Sequence, residues 1–201
     1  MIILGLTGSI GMGKSTTANM FRDADIAVFD ADRTVHELYQ GEAVEAVGQI
    51  FPEAVKDGQI DRQVLSKIIM EDKSAIQHLE SVVHPLVHEA RKAFLAKAEQ
   101  TGAKLVVIDQ PLIFEMGTAD QMDGIIVVTA PADVQRERVL ARDNMSVEKF
   151  EHILSLQVPD EEKQKYADFI IDTSLGLDAA KARVNDIIDE INTGKWQPKP
   201  R

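Results

Sequence analysis

The chain contains no cysteine, which excludes disulfides, thiolate nucleophiles and cysteine-bound zinc and agrees with a reducing compartment. It is short of positive charge. Its 22 Lys and Arg against 33 Asp and Glu leave a formal net charge of −11 at pH 7 over 201 residues. A protein that lives by gripping nucleic-acid phosphates needs the opposite balance, so that class is set aside. A long apolar run is missing too: a membrane span needs about 20 such residues, and none occurs in the sequence. Ile2 to Leu4 are apolar, but Gly5, Gly8, Gly11 and Gly13 interrupt them and Lys14 follows, the wrong order for a signal peptide. The expectation is a cytoplasmic protein without membrane or nucleic-acid partners. There are no internal repeats, and only the tail from Lys195 to Arg201, with Pro198 and Pro200, is expected to add no regular structure.

Hydrophobic residues make up 44% of the chain and charged residues 27%, which supports a folded core rather than wholesale disorder. Five short apolar runs read as strands: Ile2–Thr7, Ile26–Phe29, Leu105–Ile108, Ile125–Thr129 and Phe169–Ile171. They are continuous rather than alternating, as in strands of a parallel sheet covered on both faces. Helical stretches separate them, so the class is α/β. About 75 residues lie between Phe29 and Leu105, where a crossover needs only a dozen or so. This insertion, about 30–102, is expected to be all-helical. Within it Ser74 and Gln77 resemble a capping box, and Pro85 to Gln100 reads as a helix stopped by Gly102, with His84-Pro85 at a helix junction. A second, charge-rich insertion, about 132–166, is expected to form a lid. The core is then about 1–29, 103–131 and 167–194, closed by a helix that Asp178 caps and Gly194 ends.

Gly8-Ser9-Ile10-Gly11-Met12-Gly13-Lys14-Ser15 matches G-x-x-x-x-G-K-[ST] in full. Its glycines let successive N–H groups curl inward onto phosphate oxygens, and the following helix adds the positive end of its dipole. In this setting Gly8 to Thr16 form a nucleoside-triphosphate site, Lys14 reaches the β- and γ-phosphates, and Ser15 offers its hydroxyl to Mg²⁺. Asp109, closing the third strand, is the second metal candidate. Asp30 and Asp32 follow the second strand. If that segment is extended, both carboxylates face the strand ends and one can take a proton from an acceptor hydroxyl. The plainer reading of Asp32 is a cap on a helix Arg33–Tyr39. Arg138 and Arg142, four apart, are expected to share a helix face and to neutralise the moving phosphoryl group. Their plainer reading is a solvated face paired with Glu137 and Asp143.

Together these motifs resemble the dephospho-CoA kinase family. The resemblance runs from Leu6-Thr7-Gly8 through Asp30-Ala31-Asp32, Gly58-Gln59-Ile60-Asp61-Arg62, His84-Pro85-Leu86-Val87 and Pro111-Leu112-Ile113-Phe114-Glu115. It continues through Gln135, Arg138, Arg142, Asp143 and Gln157 to Ala167-Asp168-Phe169-Ile170-Ile171-Asp172. It implies a P-loop fold with a five-stranded parallel sheet, a helical acceptor-binding insertion and a helical lid. It also implies ATP-dependent, Mg²⁺-assisted phosphorylation of the ribose 3′-hydroxyl of dephospho-CoA, with ATP and dephospho-CoA as small-molecule partners. By that likeness Asp32 is the base, Lys14, Arg138 and Arg142 are catalytic, and Asp30, Asp32, His84, Pro111 and Glu115 are the acceptor-binding candidates. The family often has Arg where His88 stands and Asn where Thr173 stands. The competing readings are another P-loop small-molecule kinase, for a nucleoside monophosphate or a sugar, and a nucleotide-dependent switch. The Asn-Lys-x-Asp tetrapeptide of GTP switches is absent from the sequence.

Overall fold

The computed structural model of the chain describes residues 1–198, the side chain of Lys73 excepted. Lys199, Pro200 and Arg201, the end of the expected unstructured tail, lie outside the described residues. Two compact units are present: Met1–Phe29 with Ala98–Arg201, and Asp30–Lys97.

The first unit is built on a five-stranded parallel sheet of β1 (Ile2–Thr7), β2 (Ala27–Asp30), β5 (Leu105–Asp109), β6 (Gly124–Thr129) and β7 (Phe169–Asp172), in the order β2-β5-β1-β6-β7. The continuous apolar runs take this form because β5 and β6 are buried at every position. Two helices, α1 (Lys14–Asp23) and α9 (Leu177–Asn192), pack together on one face of the sheet, while Ile113 and Met122 from the segment after β5 close over Gly5 on the other. Ala18 and Phe21 of α1 join Ala180, Val184, Ile187 and Ile191 of α9 in one core with Leu4, Leu6, Ile126 and Phe169. The three- and four-residue spacing in α9 lays those side chains along one helical stripe. Asp178 does not cap α9: Gly176 holds the N-cap position, and Asp178 sits in the first turn. The second insertion folds as α6 (Ala132–Leu140), α7 (Val147–Ser155) and α8 (Asp160–Lys165). The tail is more ordered at its start than expected. The Trp196 ring lies 5.2 Å from the Phe169 ring, and a Cβ on Gly124 would come within 2.7 Å of the indole.

The second unit comprises α2 (Ala31–Leu38), α3 (Ala43–Ile50), a hairpin of β3 (Val55–Lys56) and β4 (Gln59–Ile60), α4 (Arg62–Glu71) and most of α5 (Lys73–Gln100). Its own core gathers Leu38, Val47, Phe51, Ile60, Leu65, Leu79 and Val83. The expectation of an all-helical insertion is corrected by the hairpin. Asp57 and Gly58 both have positive φ, 50° and 75°, the geometry that turns two antiparallel strands in a two-residue loop. Pro85 does not start a helix but lies inside α5. Proline forfeits one backbone hydrogen bond there, yet Leu79 and Val83 before it and Leu86 and Val87 after it pack on the same core, so burial outweighs the loss. A helix does open where Ser74 signals one, but Ser74 lies in the first turn of α5 rather than at its cap. The capping oxygen is Asp72 Oδ1, which accepts from the Ser74 N–H at 2.8 Å and the Ser74 hydroxyl at 2.7 Å.

Candidate active site

Register places the site. Leu6 of β1 lies opposite Asp109 of β5, so the strand leading into the glycine-rich loop and the strand ending in the carboxylate finish side by side. The loop then turns through Gly11 and Gly13, with φ of 82° and 94°. An L side chain rarely adopts such angles, which is why glycine stands there. Gly13 is the N-cap residue of α1 and makes no side-chain cap, leaving the first N–H groups of that helix directed at whatever anion occupies the loop. Lys14 Nζ lies 2.5 Å from Asp109 Oδ1, and the Asp109 side chain is almost fully buried. Thr7 donates its hydroxyl to the Pro111 carbonyl at 2.7 Å, fastening the segment that follows β5 to the end of β1.

The second insertion holds this loop at several points. Gln157 Oε1 accepts from the Ile10 N–H at 3.0 Å, and Gln135 Nε2 donates to the Ile10 carbonyl at 2.7 Å. Arg138 donates to the Thr173 hydroxyl and carbonyl, and the Thr173 hydroxyl donates to the Met12 carbonyl at 2.8 Å. A cavity of about 300 Å³ opens beside the loop, lined by Gly11, Gly13, Thr16, Arg138, Arg142 and Thr173 among others. Arg138 and Arg142 therefore meet at one cavity, though not on one helix face as the spacing suggested. Helix α6 ends at Leu140, and Arg142 follows its C-cap with its N–H bonded to the Val139 carbonyl.

Glu115 Oε1 accepts from Lys163 Nζ at 2.9 Å and from the Val158 N–H at 2.8 Å. Asp30, Asp32 and His84 belong to the second unit. The extended geometry expected for the Asp pair does not form. Asp30 ends β2, and its Oδ1 caps α2 by accepting the Arg33 N–H at 2.9 Å. Asp32 lies in the first turn of α2, exposed, so the expected capping role belongs to Asp30. His84 is exposed on α5. Nothing local in the sequence marks Lys163, because Asp160-Glu161-Glu162-Lys163 reads as a solvated charge run. Thr173 stood out only as a departure from the family pattern.

A strand, a glycine-wrapped anion loop with its lysine, a helix, and a carboxylate ending the neighbouring strand define a P-loop kinase fold. A family model described as dephospho-CoA kinase matches residues 2–178. A dephospho-CoA kinase of Mesorhizobium japonicum is 53% identical over 95% of this chain and 97% of its own length. One from Rhodopseudomonas palustris is 50% identical over 94% and 95% respectively. A solved structure from Thermus thermophilus, 33% identical, superposes with a TM-score of 0.80 over 93% of this chain and 95% of that one. The chain belongs to the dephospho-CoA kinase family.

Proposed function

We propose that the protein transfers the γ-phosphoryl group of ATP to the ribose 3′-hydroxyl of dephospho-CoA, giving coenzyme A and ADP, the final step of coenzyme A synthesis. The observation that carries this is the family match over residues 2–178, which spans the phosphate loop, the helical unit and the second insertion together. In this reading the N–H groups of the loop from Gly8 to Thr16 cradle the triphosphate, and Lys14 leaves Asp109 to meet the β- and γ-phosphates. Asp32 accepts the proton of the attacking hydroxyl as the O–P bond forms. Arg138 and Arg142, already at one cavity, spread the charge of the moving group. His84 and Pro111 belong to the acceptor side, as does the segment carrying Glu115, whose own carboxylate is held by Lys163 and the Val158 N–H.

The Ser15 hydroxyl and the Asp109 carboxylate are hard oxygen donors, the set that suits Mg²⁺ held by one or two protein oxygens together with substrate phosphates. Bound there, Mg²⁺ would neutralise charge on the β- and γ-phosphate oxygens. Among the described residues no helix is long and apolar enough to cross a membrane.

The test is ADP release with and without dephospho-CoA, with a nucleoside monophosphate and a sugar as rival acceptors. ADP formation that depends on dephospho-CoA, with label appearing at the ribose 3′ position, supports the reading. Turnover with a rival acceptor and none with dephospho-CoA overturns it.

A further inference from the structure

Lys163 is fully buried, with no exposed side-chain surface. Its Nζ has two partners, Glu115 Oε1 at 2.9 Å and the hydroxyl of Ser9, a loop residue itself only 3% exposed, at 3.3 Å. A buried ion pair contributes little stability compared with well-packed apolar side chains of the same volume. What this pair supplies is therefore placement: a cation fixed on one hydroxyl of the phosphate-binding loop. Glu115 is in turn fixed by the Val158 N–H, while its Oε2 is buried without a hydrogen-bond partner. The next loop residue is gripped on both backbone faces by Gln157 and Gln135. The second insertion thus reaches the start of the loop through three side chains, at Ser9 and at Ile10.

We propose that Lys163 is a positioning residue for the triphosphate site, acting through the Ser9 hydroxyl and oriented by Glu115. With Ser9 anchored, the loop keeps its anion-binding curl before nucleotide arrives, and less ordering has to be supplied on binding. The proposal rests on the reading of Gly8 to Thr16 as the triphosphate site and is independent of which acceptor is phosphorylated.

ATP affinity is the readout, measured by equilibrium titration of the full chain without acceptor, with the melting temperature followed in parallel. Lys163→Met is expected to weaken ATP binding about tenfold, the scale of a lost hydrogen bond to a charged group. Ser9→Ala, a small change that keeps the Lys163–Glu115 pair, is expected to weaken it several-fold, and the double variant to bind no worse than Lys163→Met alone. That non-additivity is the signature of one side chain working through the other. A merely structural role would lower the melting temperature of Lys163→Met and leave the affinity of the folded protein at the wild-type value. Unchanged affinity in either single variant, or additive losses in the double variant, overturns the proposal. If Lys163→Met does not fold, Lys163→Gln takes its place in the same cycle with Ser9→Ala, and unchanged affinity in either or additive losses again overturn the proposal. Because no acceptor is present, failure of dephospho-CoA turnover in the wild type would sink the functional reading and leave this test standing.

Discussion

Arg138 is bound bidentately to Thr173: Nη1 lies 2.7 Å from the hydroxyl and Nη2 2.9 Å from the carbonyl. The same hydroxyl spends its one proton on the Met12 carbonyl, at 2.8 Å. Thr173 therefore couples an arginine of the second insertion to the backbone of the phosphate loop. Thr173→Val keeps the shape and removes the hydroxyl. It is expected to cost about 1–2 kcal/mol of transition-state stabilisation, roughly tenfold in kcat/KM for ATP. Steady-state kinetics at saturating acceptor check this, and a wild-type value would show that Arg138 is held well enough by the carbonyl alone.

Lys14 sits on Asp109 and, in the proposed reaction, moves to the phosphates. Lys14→Ala removes a donor aimed at the transferring group and is expected to lower kcat by about a hundredfold or more. Because Asp109 is 3% exposed, circular dichroism should accompany the assay to separate lost chemistry from lost structure. Retention of most of the activity in a folded variant would remove Lys14 from the mechanism.

The separation of Asp30 from Asp32 makes the choice of base testable. Asp30 caps α2, whereas Asp32 is exposed in its first turn. Asp32→Asn is expected to lower kcat by about two to four orders of magnitude, the range for a lost general base, with ATP affinity and melting temperature unchanged. Asp30→Asn keeps a capping oxygen and so keeps the fold. A large kcat loss in Asp30→Asn with near-normal turnover in Asp32→Asn would reverse the assignment.

Asp72 gives a pH-dependent stability term. Hydrogen bonds from the Ser74 side chain first, and from the Ser74 N–H second, hold its carboxyl below its ordinary value of 3.8. A carboxyl depressed in the folded state adds stability above its unfolded value, and that stability is lost as pH falls through the folded value. Asp72→Ala is expected to lower the melting temperature at neutral pH, with the gap to wild type closing as pH drops below the ordinary carboxylate range. A gap that is constant with pH would mean that Asp72 acts by something other than its charge.

Much of the sheet was legible because its signal is local. A continuous apolar run such as Ile125–Thr129 can be satisfied only by burial on both faces, and in the structure every residue of Gly124–Thr129 is buried. The glycine-rich loop was legible for the same reason, since its curl depends on the missing side chains of neighbouring residues. The helical unit was read less well. Pro85 carries a strong local preference for a helix boundary, but the core around Leu79 and Val83 overrides it and makes α5 one helix, whereas the helix start signalled at Ser74 is real and displaced by two residues to Asp72. Asp57-Gly58 is a turn signal embedded in a segment whose length and composition otherwise favour helix, and it closes the β3–β4 hairpin.

The amino-acid order by itself determined the strand–loop–helix that curls around an anion, the carboxylate that ends β5, and the order of motifs that marks the family. Each of these depends on residues adjacent in the chain. Only the tertiary structure decided that Lys163 is a buried partner of Ser9 rather than part of a solvated run, that Thr173 joins Arg138 to Met12, and that Asp30 rather than Asp32 caps α2. The first two contacts join residues more than thirty positions apart. Burial, which turns a surface charge into a fixed one, is a property of the packed molecule and leaves no mark on any short stretch of sequence.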